Sequence, residues 1–496
     1  MRLSPARPGP APPAVPQRAG YWPLAVIASA HLMAILDTTV MFIALPSIQH
    51  GLGMTVTGRQ WIVTAYTVTL AGFLLLGGRL ADRFGARRTL LIGVAGFACA
   101  SAAGGASADG VMIITARAVQ GAFAALLISS TKSLLVTVYS DEDQRARVMG
   151  IFTATLTAGM AAGLVLGGVL TSELGWRWCL YVNVAVSLIA IVGGLRVLPS
   201  LPGRAQVQID LWSALLGSAG MAALVYGLGE ASSLGWSSGQ ITGSLAAAAV
   251  TLSAFAARQI GHPDRLLPLR VVLDRNRGWA MTGLVVNGLS TFGMMLILTY
   301  QLQSVMGYTA LHTGLALIPF ALAGAAGSAL IAPLLMVRIP PRWLIAASIV
   351  TEAGGLIPLI WLTPASRYLP LILTATIIEG LGTGVAGPAT LNTALTGILP
   401  SDTGAAGAGT SAASQLGSSI GAALLNTIAA AAAASYLTAH PSATTATGTV
   451  HGFTVAMAWG AAITLAAAVP IMAFVNARKP PAKNCTSRPR SSADQK

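Results

Sequence analysis

Hydrophobic residues in this chain come in blocks of about twenty, a length that matches one helical crossing of a bilayer. The blocks fall at roughly 22–46, 60–80, 89–107, 111–138, 148–170, 178–198, 211–229, 239–257, 279–305, 313–336, 343–363, 369–397, 404–436 and 452–476. At about 1.5 Å rise per residue, each of these fourteen blocks can cross a hydrocarbon core of about 30 Å as a helix. A membrane β-barrel would instead alternate polar and apolar positions over about ten residues. The pattern therefore predicts an all-α polytopic membrane protein.

Composition agrees. Only 9% of the 496 residues are charged and mean hydropathy is +0.71, against about 25% charged in soluble proteins. The net charge of +14 would suit nucleic acid, but its placement suits topology better. With both termini cytoplasmic, 24 of the 29 basic residues fall on the inner side, and the outer loops hold Arg59, Arg177 and Arg367. Arg117 and Lys132 lie within block 4, where Lys132 is expected to snorkel to the headgroups. This inner excess is the positive-inside signal and removes the reason to invoke a nucleic-acid partner. Blocks 211–229 and 239–257 hold no charged residue, which keeps both as spans and the count at fourteen.

The expected layout is a disordered basic, proline-rich tail at 1–20 and a first six-helix bundle at 21–200. Two further spans follow at 201–260, then a second six-helix bundle at 261–478 and a cytoplasmic tail at 479–496. The first span is too long for a signal peptide. Cys99, Cys179 and Cys485 sit in separate segments and read as free thiols with no metal-ligand spacing. No cofactor or metal site is expected. Six scattered histidines offer no catalytic or metal cluster, so an enzyme is not expected. With no GK[ST] phosphate loop, energy must come from an ion gradient or from the substrate's own.

Three stretches carry a family resemblance. Gly78-Arg79-Leu80-Ala81-Asp82-Arg83-Phe84-Gly85-Ala86-Arg87-Arg88 resembles the signature loop of the major facilitator superfamily. Arg117-Ala118-Val119-Gln120-Gly121 is similar to that superfamily's RxxQG motif, and Leu36–Pro46, LDTTVMFIALP, resembles the first-helix motif of its drug:proton antiporters with fourteen spans. Trp176-Arg177-Trp178, Tyr181-Val182-Asn183, Asp210, Tyr226-Gly227, Gly235-Trp236, Leu302 to Tyr308, Gly314, Pro319 and Gln415-Leu416-Gly417 extend the likeness over about 22–476. It implies the major facilitator fold: two six-helix bundles, two extra central helices, and alternating access. It also implies a conformational switch in Gly78, Asp82, Arg83, Gly85, Arg87 and Arg88, with Asp82 and Arg87 or Arg88 latching the bundles in the outward-open state. A sealing role falls to Gly163, Gly167 and Gly168 of helix 5. The chain departs from the common pattern at Leu164 and Ala185, where proline is usual, and at Phe42, where asparagine is common.

Charges inside spans are costly and usually functional. Asp37 lies nine residues before Pro46 and Arg117 eight after Asp109, so both sit about 12–13 Å below the outer surface. They can pair if helices 1 and 4 adjoin, as the superfamily implies. Such a pair serves either proton coupling or a permanent structural bridge. Aligning Thr376 to Gly380 with Arg117 to Gly121 puts Glu379 at the position of Gln120 in an internal repeat. Glu379 is thus a second candidate for a proton or a cationic substrate, or else a buried neutral acid. Glu352, on a helix that the resemblance places at the periphery, ranks lower. His31 is about 240° around the helix from Asp37 and reads as core. Met33, Met41, Phe42, Tyr66, Gln120, Asn287, Phe292 and Gln301 are the expected substrate-cavity residues, Met and aromatic walls suiting varied lipophilic ligands.

The expectation is a proton-coupled antiporter that exports lipophilic drugs or antibiotics, cations included. Its partners would be protons, a lipophilic small molecule and the lipid bilayer of the cytoplasmic membrane, with the protein acting as a monomer. Export of an endogenous metabolite and proton symport are same-fold alternatives, and a transport-inactive membrane sensor is an alternative of another class.

Overall fold

The computed structural model describes residues 20–139, 141–200, 203, 210–261, 274–396 and 403–475. The two tails, Cys485 and the side chain of Lys132 lie outside the described residues. The described secondary structure is entirely helical.

The first bundle comprises α1 (Trp22–Gly51), α2 (Val56–Phe84), α3 (Ala86–Gly105), α4 (Gly110–Val138), α5 (Glu142–Val169) and α6 (Trp178–Val197). Then come α7 (Leu211–Leu234) and α8 (Gly239–Gly261). The second bundle comprises α9 (Arg275–Tyr300), α10 (Ala310–Ala326, continuing through a π-turn to Arg338), α11 (Pro341–Leu356), α12 (Leu373–Leu395), α13 (Thr403–Ala439) and α14 (Thr445–Phe474). Local sequence sets many of the boundaries. Pro23 occupies the first turn of α1, where its missing N–H costs nothing. Thr55, Asp109, Asp141, Asp210, Asp274, Thr309 and Thr444 each cap a helix N-terminus by accepting a backbone N–H. Gly85, at φ 92°, makes the turn from α2 into α3, a conformation open mainly to glycine.

Eleven of the described helices are long and apolar enough to cross a bilayer, or twelve if α2, bent by 50° near its middle, counts as one broken span. α5 and α7 contribute shorter apolar stretches, Ala162–Leu174 and Trp212–Leu228. α1 does not stop at Pro46, as the sequence suggested, but carries it inside and runs on to Gly51. Arg59, assigned to a loop from sequence, belongs to the first turn of α2. The outer surface is studded with exposed aliphatic side chains, among them Leu188, Ile189, Val250, Leu330, Val337 and Val469. Such a surface is stable in hydrocarbon, where the helices satisfy their own backbone polar groups. The molecule is therefore a multi-pass membrane protein.

The bundles meet along two pairs of helices, α5 with α10 and α2 with α13. α7 packs on both α2 and α13, with Trp61 near Tyr226 (ring centroids 5.9 Å apart) and Thr427 Oγ1 donating to the Leu228 carbonyl (2.9 Å). α7 thus flanks the seam between the bundles, with α8 packed on α7.

The seam is tightest at the end that carries the loops after odd-numbered helices. There one apolar core runs through both bundles, joining Val40 to Leu45 of α1 and Leu164 of α5 with Leu289, Met294 to Leu298, Leu317 and Phe320. Glycines bring α5 and α10 into backbone contact. A Cβ on Gly314 would lie 2.2 Å from the Leu164 carbonyl oxygen, and one on Gly168 2.7 Å from Leu311 Cα. Hydrogen bonds cross the same seam from Gln303 Nε2 to the Ile43 carbonyl (3.0 Å) and from Asn426 Nδ2 to Gln60 Oε1 (3.0 Å). Gln60 Nε2 donates on to the Ala423 carbonyl (3.2 Å), and the Arg59 guanidinium lies 3.4 Å over the Tyr300 ring. Towards the other end the cores separate. One is built from α1 to α6 with Ala412 of α13 at its edge, the other from α9 to α12 and α14.

Candidate transport site

Five helices of the first bundle deliver polar side chains to one buried cluster. Asp37 comes from α1, Tyr66 from α2, Ser101 from α3, Arg117 and Gln120 from α4, and Asn183 from α6. Arg117 and Gln120 are three residues apart, so they share a helix face. Asp37 and Arg117 are each 1% exposed.

Three hydrogen bonds hold the Arg117 guanidinium. Its Nη1 stands 2.5 Å from Asp37 Oδ2 and 2.6 Å from Gln120 Oε1, and its Nε donates to the Ile62 carbonyl at 3.2 Å. The guanidinium also lies 4.2 Å above the Tyr66 ring, a cation–π contact. The other carboxylate oxygen, Asp37 Oδ1, accepts from Gln120 Nε2 (2.9 Å) and Asn183 Nδ2 (2.7 Å). Ser101 Oγ accepts from both amides in turn, at 2.8 and 3.5 Å. A buried ion pair survives only with such supporting hydrogen bonds, and losing one partner costs about 3–5 kcal/mol. The arrangement also has a built-in asymmetry. Arg117 has other acceptors if Asp37 becomes neutral, whereas Asp37 has only amide donors if Arg117 is lost.

The second bundle buries two carboxyl groups. Glu379 of α12 accepts at Oε1 from Ser290 Oγ (3.2 Å) and Thr291 Oγ1 (3.0 Å) of α9. Glu352 of α11 accepts at Oε1 from Asn287 Nδ2 (2.6 Å). The same Asn287 nitrogen donates to Thr383 Oγ1 (2.5 Å), which lies 2.8 Å from Thr291 Oγ1. Both glutamates are 0% exposed. Glu352, ranked below Glu379 from sequence, is thus as buried as Glu379 and shares its hydrogen-bond chain. Periodicity does not say which face of a peripheral helix turns inward, and here the face bearing Glu352 packs on α12.

The residues expected to line one cavity do not share one in this conformation. Met33 meets Ser187 Oγ (3.0 Å) inside the first bundle, while Tyr66 and Gln120 belong to the Asp37 cluster. Phe42 and Phe292 touch edge to face across the seam, 5.4 Å between centroids, beside Met41 in the common core. Asn287 belongs to the glutamate cluster. Gln301 is buried with neither end of its amide hydrogen-bonded. The reason is seam closure, which fills the space between the bundles with these same aromatic and methionine side chains.

The expected switch residues are placed as follows. Arg87 donates to the Gly194 (3.1 Å) and Leu195 (2.5 Å) carbonyls at the end of α6, within its own bundle. Arg83 and Arg88 lie in the same turn beside Gly85 and Asp82, and Gly78 has open space above its Cα. Gly163 and Gly167 face Thr39 and Val40 of α1, while Gly168 faces α10. His31 hydrogen-bonds Thr131 Oγ1 (2.9 Å) and packs edge-on against Phe152, in the core. Sequence reasoning did not single out Asn183 and Ser101 as site residues. Asn183 lay in the Tyr181-Val182-Asn183 stretch of the family resemblance and is an amide buried in a mostly apolar span.

Two helical bundles with a buried ion pair in one, closed against each other at one end, define a membrane transporter fold. Solved structures agree at the level of fold. A crystal structure of an auto-inhibited POT family peptide transporter superposes with TM-score 0.65 at 16% identity, covering 92% of this chain and 97% of that one. A profile of the Major Facilitator Superfamily matches residues 27–424, and the chain belongs to that family. Among its curated relatives, the puromycin resistance protein pur8 of Streptomyces alboniger is 42% identical over 464 residues, 92% of each chain. The cephamycin export protein CmcT of Amycolatopsis lactamdurans is 36% identical over 388 residues, 77% of this chain and 79% of that one.

Proposed function

We propose that this protein exports a lipophilic antibiotic or drug across the cell membrane in exchange for protons, by alternating access. Asp37 is the proton-carrying group and Arg117 its counter-charge. The observation that carries the reading is the fully hydrogen-bonded Asp37–Arg117 pair inside the first bundle. Relatives that confer puromycin resistance and export cephamycin support a drug-like substrate. Fourteen spans with both termini cytoplasmic would make the closed seam the outer gate, with the site loaded from inside.

Coupling follows from charge balance. With Asp37 ionised the cluster is neutral. A proton arriving on Asp37 leaves the Arg117 charge uncompensated in a low-dielectric interior, where like charges repel strongly. A cationic substrate is then expelled, or a neutral one loses its polar anchor, while Ile62, Gln120 and Tyr66 hold the guanidinium. Proton release inward restores the pair. A membrane potential of 100 mV contributes about 2.3 kcal/mol per charge moved, enough to drive export against a gradient.

The test is growth of a pump-deficient host on a panel headed by puromycin and cephamycin-type compounds, comparing wild type with Asp37→Asn. Raised resistance with wild type and none with a well-expressed Asp37→Asn supports the reading. Equal resistance from both would remove Asp37 from the mechanism.

A further inference from the structure

The two halves of the molecule solve one electrostatic problem in opposite ways. In the first bundle the buried carboxylate is on α1 and the residue that supports it, Gln120, is on α4. In the second bundle the roles are exchanged, with the carboxyl on α12 and its hydroxyl support on α9. Asp37 and Ser290 occupy the same place, each fifteen residues after the first residue of its helix, and Glu379 stands where Gln120 stands in the repeat. The counterpart of Arg117 is Thr376, whose hydroxyl is spent on the Leu373 carbonyl of its own helix (2.9 Å). The ion pairs Arg117–Asp37 and Arg258–Asp210 include neither Glu352 nor Glu379.

Two buried carboxyl groups without a fixed cation cannot both stay ionised, because each carries a desolvation cost of several kcal/mol and they repel one another. The hydrogen bonds between them have a direction. Thr291 spends its hydrogen on Glu379, so Thr383 must donate to Thr291, and Asn287 donates both to Thr383 and to Glu352. Glu379 therefore receives two hydroxyl donors and Glu352 one amide donor, which makes Glu379 the better anion. In each carboxyl the second oxygen, Oε2, is buried and has no hydrogen-bond partner, leaving one oxygen on each residue for a proton.

Other titratable groups on the packed elements are few. They are Arg275, Arg277 and Tyr300 near the ends of α9, His312 and Arg338 at the ends of α10, Arg342 at the start of α11, Tyr436 near the end of α13 and His451 near the start of α14. Each belongs to an end of its helix, whereas Glu352 and Glu379 lie within theirs.

We propose that Glu352 and Glu379, linked through Asn287, Thr383 and Thr291, form a second exchangeable proton site, separate from Asp37. The inference builds on the proton-coupled reading above and deepens it: it supplies a second coupling proton. One more charge per cycle is worth about a 50-fold steeper concentration ratio per 100 mV of potential.

The test needs no transported compound. Infrared difference spectra of the purified full-length protein in lipid nanodiscs, recorded across neutral pH, report the C=O stretch of protonated carboxyl groups. In the Asp37→Asn background, which removes that carboxyl's own band, a pH-dependent band is expected, and its loss when the Glu352→Gln/Glu379→Gln double variant is placed in the same background. Asn287→Leu, which removes the amide donor to Oε1 of Glu352, the carboxyl that keeps the proton, should move the band to higher frequency, and it serves as the test if the double variant does not fold. A band that ignores pH would mean a permanently neutral structural acid. That result, a band that persists in the double variant, or a band unmoved by Asn287→Leu would overturn the proposal. Failure of the Asp37 reading shows instead in transport, so the two are separable.

Discussion

Neutralising Asp37 should harm the folded protein less than removing Arg117, and the difference follows from who else touches each group. In Asp37→Asn the side-chain oxygen can still accept from Gln120 and Asn183. Arg117 keeps the Gln120 oxygen, the Ile62 carbonyl and the Tyr66 ring. What is lost is one charge-assisted hydrogen bond, about 1.5–3 kcal/mol. In Arg117→Ala the carboxylate stays buried with two amide donors and no counter-charge, which costs about 3–5 kcal/mol. Joining the two changes removes both charges, so the double variant should be more stable than the sum of the single losses implies, a coupling that a double-mutant cycle measures. Thermal inactivation of purified protein in nanodiscs should rank wild type above Asp37→Asn above Arg117→Ala. Equal losses in the two single variants, or strict additivity in the double, would refute the idea that Arg117 is held for a state in which Asp37 is neutral.

Other outcomes follow from the same geometry. Asn183→Leu removes one of the two amide donors to Asp37 Oδ1 and should lower drug resistance about tenfold or more, at the scale of one hydrogen bond to a charge, with expression unchanged. Gly314→Val would force a side chain onto the Leu164 carbonyl, so the seam should stay open, read as faster thiol labelling of a cysteine placed at Ile43. Breaking the Gln60–Asn426 bond with Gln60→Ala should raise the same labelling rate more modestly, about 2- to 10-fold for a bond worth about 0.5–1.5 kcal/mol. Burial works against ionised Asp210 at the start of α7, but hydrogen bonds from Ser213 and Arg258 outweigh it and hold the carboxyl below its usual range. A depressed value stabilises the fold above the unfolded carboxyl's titration, near pH 3.9, and the benefit fades as pH falls below it. Asp210→Asn should therefore differ from wild type in thermal stability at neutral pH and converge with it in strong acid.

Much of the first bundle's site was legible because hydrocarbon makes charge conspicuous. Asp37 and Arg117 stood out in apolar blocks, and helical rise alone put them at matching depth. Asn183 and Ser101 did not stand out, since neutral polar residues are tolerated in spans and nothing local marks which of them turns inward. Glu352 was visible as a charge, but its burial beside Asn287 was not, because the facing of α11 depends on its packing against α12, which periodicity does not contain. The continuation of α1 past Pro46 has the same origin: a proline near a helix end permits either outcome, and the surrounding core decides. The cavity residues were recognised by type, yet they separate into two bundle interiors and a closed seam, because sequence carries no information about which conformation is populated.

Proton movement in inverted membrane vesicles tests the central claim most directly. With an imposed acid interior followed by a pH-sensitive dye, adding puromycin, the first compound of the panel, should release protons from vesicles carrying wild type and leave those carrying Asp37→Asn unchanged. Puromycin uptake into wild-type vesicles with no proton release, or equal release from Asp37→Asn, would contradict the account.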